Sequence, residues 1–387
     1  MLKFLLAHVI AFVVAALLLS HISAASDDFL ILSAITATPL SPRKLLVVQH
    51  RIAAMTTEEK IGQMMMVSIP GTTLTPAAAA WLKEHHIGGV VLLGSNVITA
   101  TQTKTFIHDL QTQARSANDP LFFIAVDQEG GIVSRFPFLS QMTAQKDIKD
   151  SNEAERVANE RGKELRDLGV NINFSPVLDI PQSSKDFIAN RSFSGDAKTV
   201  ASKGNGMLQG YAQAGIIATP KHFPGHGGTL MDSHKNLPIL DDQIQPWQER
   251  ILPFREAVAH GAPLIMVGHL LTPSVDSEYP ATLSSRIMTD VLRKDMGYLG
   301  VIITDDLAMG AITQSHTLPD GALRATNAGA DILLMMQHTT GHTAVFKALV
   351  RAVNTGEISP QQLNQHLIRV LILKNKLGSL FLPSIEK

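Results

Sequence analysis

The sequence predicts an α/β fold in which eight parallel strands close into a (β/α)8 barrel, a single catalytic domain after an N-terminal signal segment. Three observations lead there. Short apolar runs alternate with longer amphipathic stretches eight times over about 300 residues. The runs are rich in Val, Ile and Leu, as strands buried on both faces are. Ionisable residues recur just after the runs, at what would be one end of the barrel, while few charges interrupt the runs themselves. A doubly wound open sheet would also alternate, but a count of eight favours closure.

The N-terminus comes first. Lys3 supplies a positive charge, Phe4 to Leu19 is almost unbroken apolar sequence, and Ser23-Ala24-Ala25 offers small residues for cleavage before Ser26. Residues 1–25 are therefore read as a signal peptide, too short for a comfortable membrane span, and the chain is expected to be periplasmic or secreted. Residues 26–50 read as an arm, with Pro39 and Pro42 breaking any long element. The barrel is assigned to 51–387.

Thr56-Thr57-Glu58-Glu59 forms a capping box for a short helix. The eight strand-like runs are Gln63–Pro70, Gly89–Leu93, Phe122–Val126, Val170–Leu178, Gly215–Thr219, Leu264–Val267, Gly300–Thr304 and Asp331–Met336. Ala154, Val157, Ala158, Leu165 and Leu168 share one face of the helix before the fourth run. Trp247, Ile251, Phe254 and Val258 do so before the sixth. Ser359-Pro360-Gln361-Gln362 opens the last helix with a second capping box; Leu363, Leu367, Val370, Leu371 and Leu377 line it, and Gly378 can end it.

Composition narrows the function. Of 387 residues, 45% are apolar and 17% charged, enough for a large core. Net charge is −1, from 33 basic and 34 acidic residues with no basic block, so no nucleic-acid partner is expected. Trp81 and Trp247 are the only tryptophans, which argues against an added aromatic carbohydrate-binding module. Cysteine is absent, so no disulfide or lipid-modified cysteine follows the leader.

The chemistry gathers where the runs end. Asp127-Gln128-Glu129-Gly130-Gly131 closes the third, with Arg135 beyond it; Asp179 closes the fourth. The fifth enters Lys221-His222-Phe223-Pro224-Gly225-His226-Gly227-Gly228, then Asp232-Ser233-His234. The sixth ends at His269 and the seventh at Asp305-Asp306. Pro224 and the glycines exclude a regular helix there, so His222 and His226 are not a helical metal pair. A metal set of His222, His226, Asp232 and His234 is the weaker reading, and neither metal nor cofactor is expected. Asp232 and His234 can point the same way in extended chain, and a carboxylate beside an imidazole orients the ring and supports its charged form. That makes an acid/base dyad, against the plainer alternative of a hydrogen bond that pins the loop. Asp305 at the barrel mouth is a candidate nucleophile for an anomeric carbon. For its neighbour Asp306 a buried hydrogen-bonding or capping role is preferred.

These segments resemble the β-N-acetylglucosaminidases of glycoside hydrolase family 3, from about Met55 to Leu377. Lys221 to Gly227 with Asp232-Ser233-His234 resembles that family's acid/base loop, and Ile303-Thr304-Asp305-Asp306-Leu307-Ala308-Met309 its nucleophile segment. Val126 to Gly131, Phe174 to Asp179 and Asn190-Arg191-Ser192-Phe193 match as well. The resemblance implies a retaining glycosidase of the single-domain subgroup. Asp305 would be its nucleophile, and His234, assisted by Asp232, its acid/base. Asp127, Arg135, Lys221, His222 and Arg191 match positions that hold the terminal sugar and its acetamido group. Two positions depart: Ile132 stands where relatives often carry Arg, and Gly228 where an acidic residue is common. The substrate implied is a glycan with terminal N-acetylglucosamine, from peptidoglycan fragments or chitin-type oligomers, and a monomer is expected. The alternatives are a β-glucosidase or a phosphorylase of the same family and, outside enzymes, a sugar-binding barrel.

Overall fold

The computed structural model describes residues 42–117, 119–336 and 341–376. The signal segment expected over 1–25, and Leu377 and Gly378 of the last helix, lie outside the described residues. Every expected run contains a strand: β1 Met65–Val67, β2 Gly89–Leu92, β3 Phe123–Val126, β4 Ile172–Asn173, β5 Ile217–Ala218, β6 Leu264–Val267, β7 Val301–Thr304 and β8 Leu333–Met335. All pair in parallel. A ladder runs β8-β1-β2-β3-β4-β5, and β6 pairs with β7. The bridge Phe223↔Val267 joins the chain just beyond β5 to β6, and Ile303↔Ile332 joins β7 to the start of β8. The pairing thus passes through all eight strands and returns to its origin.

The strands are shorter than the apolar runs that contain them. β4 and β5 run into Pro176 and Pro220, which have no backbone N–H to give a ladder. Pairing resumes past these prolines, where Leu178 N donates to Lys221 O at 2.7 Å and Lys221 N to Pro176 O at 3.0 Å. At β1 the helix Thr57–Gln63 reaches almost to the strand, so Gln63 ends a helix and does not begin a strand.

Strand side chains alternate between two cores. In β3, Phe123 and Ala125 fill the barrel interior with Met66, Val91, Ile172 and Leu264, whereas Ile124 and Val126 pack outward against the helices. The last helix, Pro360–Lys376, also lends Val370 and Leu373 to the interior. Its Lys374 Nζ donates to Gly88 O and Leu121 O, just before β2 and β3, and to the Gln63 side chain, at 2.8–2.9 Å. This end of the barrel is therefore plugged, and access is left at the carboxyl ends of the strands.

Helices form where the apolar period indicates. Ser151–Leu168 buries Ala154, Val157, Ala158, Leu165 and Leu168, starts on the Asp150 cap and ends on Gly169 at φ 97°. Trp247–Ala259 buries Ile251 and Phe254, with Trp247 and Val258 against the same core. The Thr56–Glu59 box is complete in both directions. Two expectations need correction. Residues 42–50, read as part of an irregular arm, begin the helix Pro42–Ala54, which buries Val48 and Ile52; proline at the first helical turn loses no bond, so Pro42 starts this helix where it was expected to break one. At the last helix only half of the second box forms: Gln362 N donates to Ser359 Oγ, but the Gln362 side chain turns to Thr326 O and Asn327.

Candidate active site

A cavity of about 260 Å³ opens at the carboxyl ends of the strands. Its floor is apolar, from Phe174, Met266, Leu334 and Met336. Its walls carry Asp127, Arg135, Arg191, Lys221, His222, His226, His234 and Asp305. Seven of the eight residues singled out in the sequence line it together. The eighth, Asp232, stands behind His234.

A chain of buried charges shapes one wall. Lys221 Nζ lies 2.7 Å from Asp127 Oδ1 and 2.6 Å from Glu129 Oε1. Arg191 grips Glu129 in two-pronged fashion, through Nε at 2.9 Å and Nη2 at 2.7 Å. Burial alone would raise the Glu129 carboxyl, but Arg191 and Lys221 hold it well below the usual carboxylate range. Arg135 reaches Asp127 more loosely, at 3.8 Å. Each cation on this wall thus already faces a carboxylate.

His222 is fixed by Asp179. The Asp179 Oδ2 atom sits 2.7 Å from His222 Nδ1, while Oδ1 accepts the amides of His222 at 3.0 Å and His226 at 2.7 Å. A carboxylate can only accept, so His222 Nδ1 carries the proton and Nε2 faces the cavity, 3.5 Å from Arg191 Nη2. Burial favours a protonated Asp179, but the charge and ring N–H of His222 and the amide of His226 outweigh it and keep this carboxyl low. His226 has no such partner. Its ring is 2% exposed, neither nitrogen has a hydrogen-bond partner, and burial pushes its pKa down to about 4.

Asp305 follows β7 directly, its amide bound to Val267 O at 2.8 Å. Burial would raise its pKa, but the neighbouring imidazoles of His222 and His269, the Asp306 amide and Lys221 outweigh that and keep Asp305 below the ordinary range. Asp306 points elsewhere: its Oδ1 accepts the amides of Ala308 and Met336, each at 3.0 Å. Burial pushes its carboxyl up to about 6. Of the adjacent pair, one carboxylate faces the cavity and the other ties two loops.

His234 lies on the loop after β5. Its Nδ1 is 2.8 Å from Asp232 Oδ1, which also accepts the His234 amide at 2.9 Å. Nδ1 is therefore the donor to Asp232, and Nε2 is left to exchange a proton. The loop is tied at both ends. Gly228 N donates to Asp186 Oδ2 at 2.8 Å and Phe187 N to Thr229 O at 3.2 Å. Beyond the dyad, Gly310 N donates to His234 O at 3.0 Å and Gln314 to Lys235 O at 2.6 Å. Gly227 is required by close approach, since a Cβ there would meet Ile180 O at 2.1 Å. The four residues weighed as metal ligands do not converge: among the described residues no group of three or more His, Asp or Glu could hold an ion.

Four groups had no catalytic or sugar-binding role in the sequence reading. Glu129 and Asp179 were visible as carboxylates at strand ends, but their partners lie 92 and 43 positions away. His226 was weighed only as a metal ligand within a glycine-rich loop. Phe187 carries no sequence signal; its ring lies 5.5 Å from His226 and 6.0 Å edge-on from His234. Together these groups hold an ionised carboxylate and a carboxylate-backed imidazole over one polar-walled, apolar-floored cavity.

Comparison with known proteins gives a consistent picture. The glycosyl hydrolase family 3 N-terminal domain matches residues 56–373. A β-hexosaminidase A from Pseudoalteromonas piscicida is 33% identical over 335 residues, 79% of this chain and 56% of that protein. A β-hexosaminidase from Stenotrophomonas maltophilia (strain R551-3) is 31% identical over 306 residues, 76% of this chain and 90% of the relative. A relative from Arthroderma benhamiae described as an uncharacterized secreted glycosyl hydrolase is 32% identical over 333 residues, 82% of this chain and 93% of the relative. Among solved structures, a family 3 β-N-acetylglucosaminidase from Paenibacillus sp. str. FPU-7 superposes with a TM-score of 0.81 at 34% identity, over 86% of this chain and 66% of that one. The chain therefore spans 56% of the first relative and 66% of this solved structure.

Proposed function

The chain belongs to glycosyl hydrolase family 3, and on that premise we propose that it is a retaining exo-β-N-acetylglucosaminidase. One observation carries the reading: His234, held at 2.8 Å by Asp232, stands on the wall of the cavity that also holds Asp305. Asp305 attacks the anomeric carbon while His234 Nε2 gives its proton to the departing glycosidic oxygen, leaving a covalent glycosyl-enzyme. Water then attacks the same carbon, His234 takes its proton, and Asp305 is released. Asp232 supports the imidazolium of the first step and orients the ring for the second. A histidine suits both tasks because its ordinary pKa lies near neutrality, and the positive charge around Asp305 keeps the nucleophile ionised.

The terminal sugar and its acetamido group are assigned to Asp127, Arg135, Arg191, Lys221 and His222. The ion-paired side chains on that wall are preorganised to bind hydroxyls. The leader sequence supports an exported enzyme, periplasmic or secreted, acting on peptidoglycan fragments or chitin-type oligomers as a monomer. The test is hydrolysis of nitrophenyl β-N-acetylglucosaminide against the β-glucoside, with and without phosphate. Early proton NMR should show the β-anomer released first. Preference for the glucoside, dependence on phosphate, or initial release of the α-anomer would each overturn the corresponding part of the assignment.

A further inference from the structure

A second cavity, of about 600 Å³, lies at the amino-terminal end of the barrel, away from the candidate active site. Tyr298 and Leu299, just before β7, line it together with the helix Arg286–Asp295 and the last helix. Its ionisable lining is basic: Arg293, Lys294, His366 and Arg369, with no acidic side chain among the described residues that line it. Behind it stands Asp331, just before β8 and fully buried. Its Oδ1 accepts from His366 Nδ1 and Arg369 Nε, each at 2.8 Å, and its Oδ2 from the Ile302 amide at 2.8 Å and from Arg293 Nη2. Burial alone would raise the Asp331 carboxyl, but Arg369 and Arg293 hold it well below the usual range. This one carboxylate therefore faces two guanidiniums, while Lys294 pairs outside the cluster with Asp290 at 2.8 Å. One positive charge is left over.

The hydrogen-bonding groups are not used up either. Arg369 spends only Nε on Asp331. Its Nη2 lies 3.3 Å from His366 Nδ1, which is itself a donor to Asp331 and cannot accept. The fork of Arg369 is thus left without an acceptor among the described residues. His366 is 2% exposed, and its Nε2 has no hydrogen-bond partner. Burial lowers its pKa, so near neutrality this nitrogen is an acceptor without a donor. A free guanidinium fork beside a free acceptor suits a group that both accepts and donates. A hydrogen phosphate does both, whereas a carboxylate only accepts.

We propose that this cavity is a second ligand site, separate from the candidate active site, which holds a small phosphorylated ligand by its phosphoryl group. Arg369 grips the phosphoryl oxygens, Arg293 supplies charge behind it, and His366 Nε2 takes the remaining proton of the group in a hydrogen bond. The volume exceeds that of a phosphoryl group, so the rest of the ligand lies along Gln362, Gln365 and Asn327.

The test is calorimetric titration of the full chain with pyrophosphate at constant ionic strength, with citrate as the carboxylate counterpart. Pyrophosphate should bind one per chain, and citrate at least about tenfold more weakly. Arg369→Gln should weaken pyrophosphate binding by about tenfold, as loss of a charge-assisted hydrogen bond does. Gln365→Glu places a negative charge at an exposed lining position, where folding tolerates it, and should weaken binding by about threefold. It decides the matter alone if Arg369→Gln does not fold. Arg135→Gln, in the other cavity, should leave pyrophosphate binding unchanged. Absence of binding by the wild type, citrate bound as tightly as pyrophosphate, or unchanged affinity in Gln365→Glu would overturn the proposal. So would affinity that falls in Arg135→Gln and persists in Arg369→Gln, which would place the anion among the cations beside Asp305.

Discussion

Replacing Glu129 by Gln tests whether the buried charge chain holds the site together. Glu129 is 1% exposed and accepts from Lys221 Nζ at 2.6 Å and from Arg191 at 2.7 and 2.9 Å. Glutamine keeps the shape but loses the charge, and its amide donors face cations that have only donors. Lys221 retains Asp127, whereas Arg191 is left as a buried guanidinium without its counter-ion. Breaking one side of a buried pair costs about 3–5 kcal/mol. The surface pair Arg156–Glu160, with side chains 56% and 45% exposed, is the control; Glu160→Gln should cost less than about 0.5 kcal/mol. Urea unfolding followed by circular dichroism measures both, read as a fall in midpoint at unchanged slope. The pH dependence adds a second signature. The folded Glu129 carboxyl is held below its unfolded value of 4.5, so its stabilisation is present above that pH and is lost as the pH falls through it toward the folded value. The wild type should therefore lose stability below about pH 4.5 more steeply than Glu129→Gln. If sugar binding depends on this wall, KM should rise as well. A loss no larger than that of Glu160→Gln, with parallel acid limbs in the two stability curves, would refute the reasoning.

Asp305→Ala should abolish turnover with circular dichroism unchanged, since this carboxylate faces the cavity and not a packed core; normal turnover would remove it as nucleophile. His234→Ala should hurt substrates with a sugar leaving group more than nitrophenyl ones in the first step, and Asp232→Asn should do the same more mildly. With an activated substrate the glycosyl-enzyme should then accumulate on Asp305, visible by mass spectrometry, whereas equal losses across leaving groups would reduce the dyad to a loop support. Asp306→Asn should stay folded and active, because an amide oxygen still accepts from Ala308 and Met336. Asp306→Ala should cost about 1–3 kcal/mol by leaving those amides unpaired, read from its unfolding midpoint.

The barrel was legible because its signals are local. A parallel strand buried on both faces is mostly apolar, so all eight appear as short, largely apolar runs that need no partner to be recognised. The helix before β4 shows its buried face through a 3.6-residue period. Asp305 and the Asp232–His234 pair were legible for the same reason: one follows a strand directly, and the others lie two residues apart. Where the local signal has two meanings the reading failed, as at Pro42, which breaks a helix interior but can start a helix, and at Gln362, whose side chain finds Thr326 and Asn327 in place of its own cap. Tertiary structure alone decided what holds the groups proposed as catalytic. Glu129 could not be seen to bind Arg191, nor Asp179 to fix His222, because those pairs join different strand ends and sequence spacing carries no trace of that proximity. Phe187 joins the site because its loop packs between His226 and His234, a contact that exists only once the barrel has brought the two loops together.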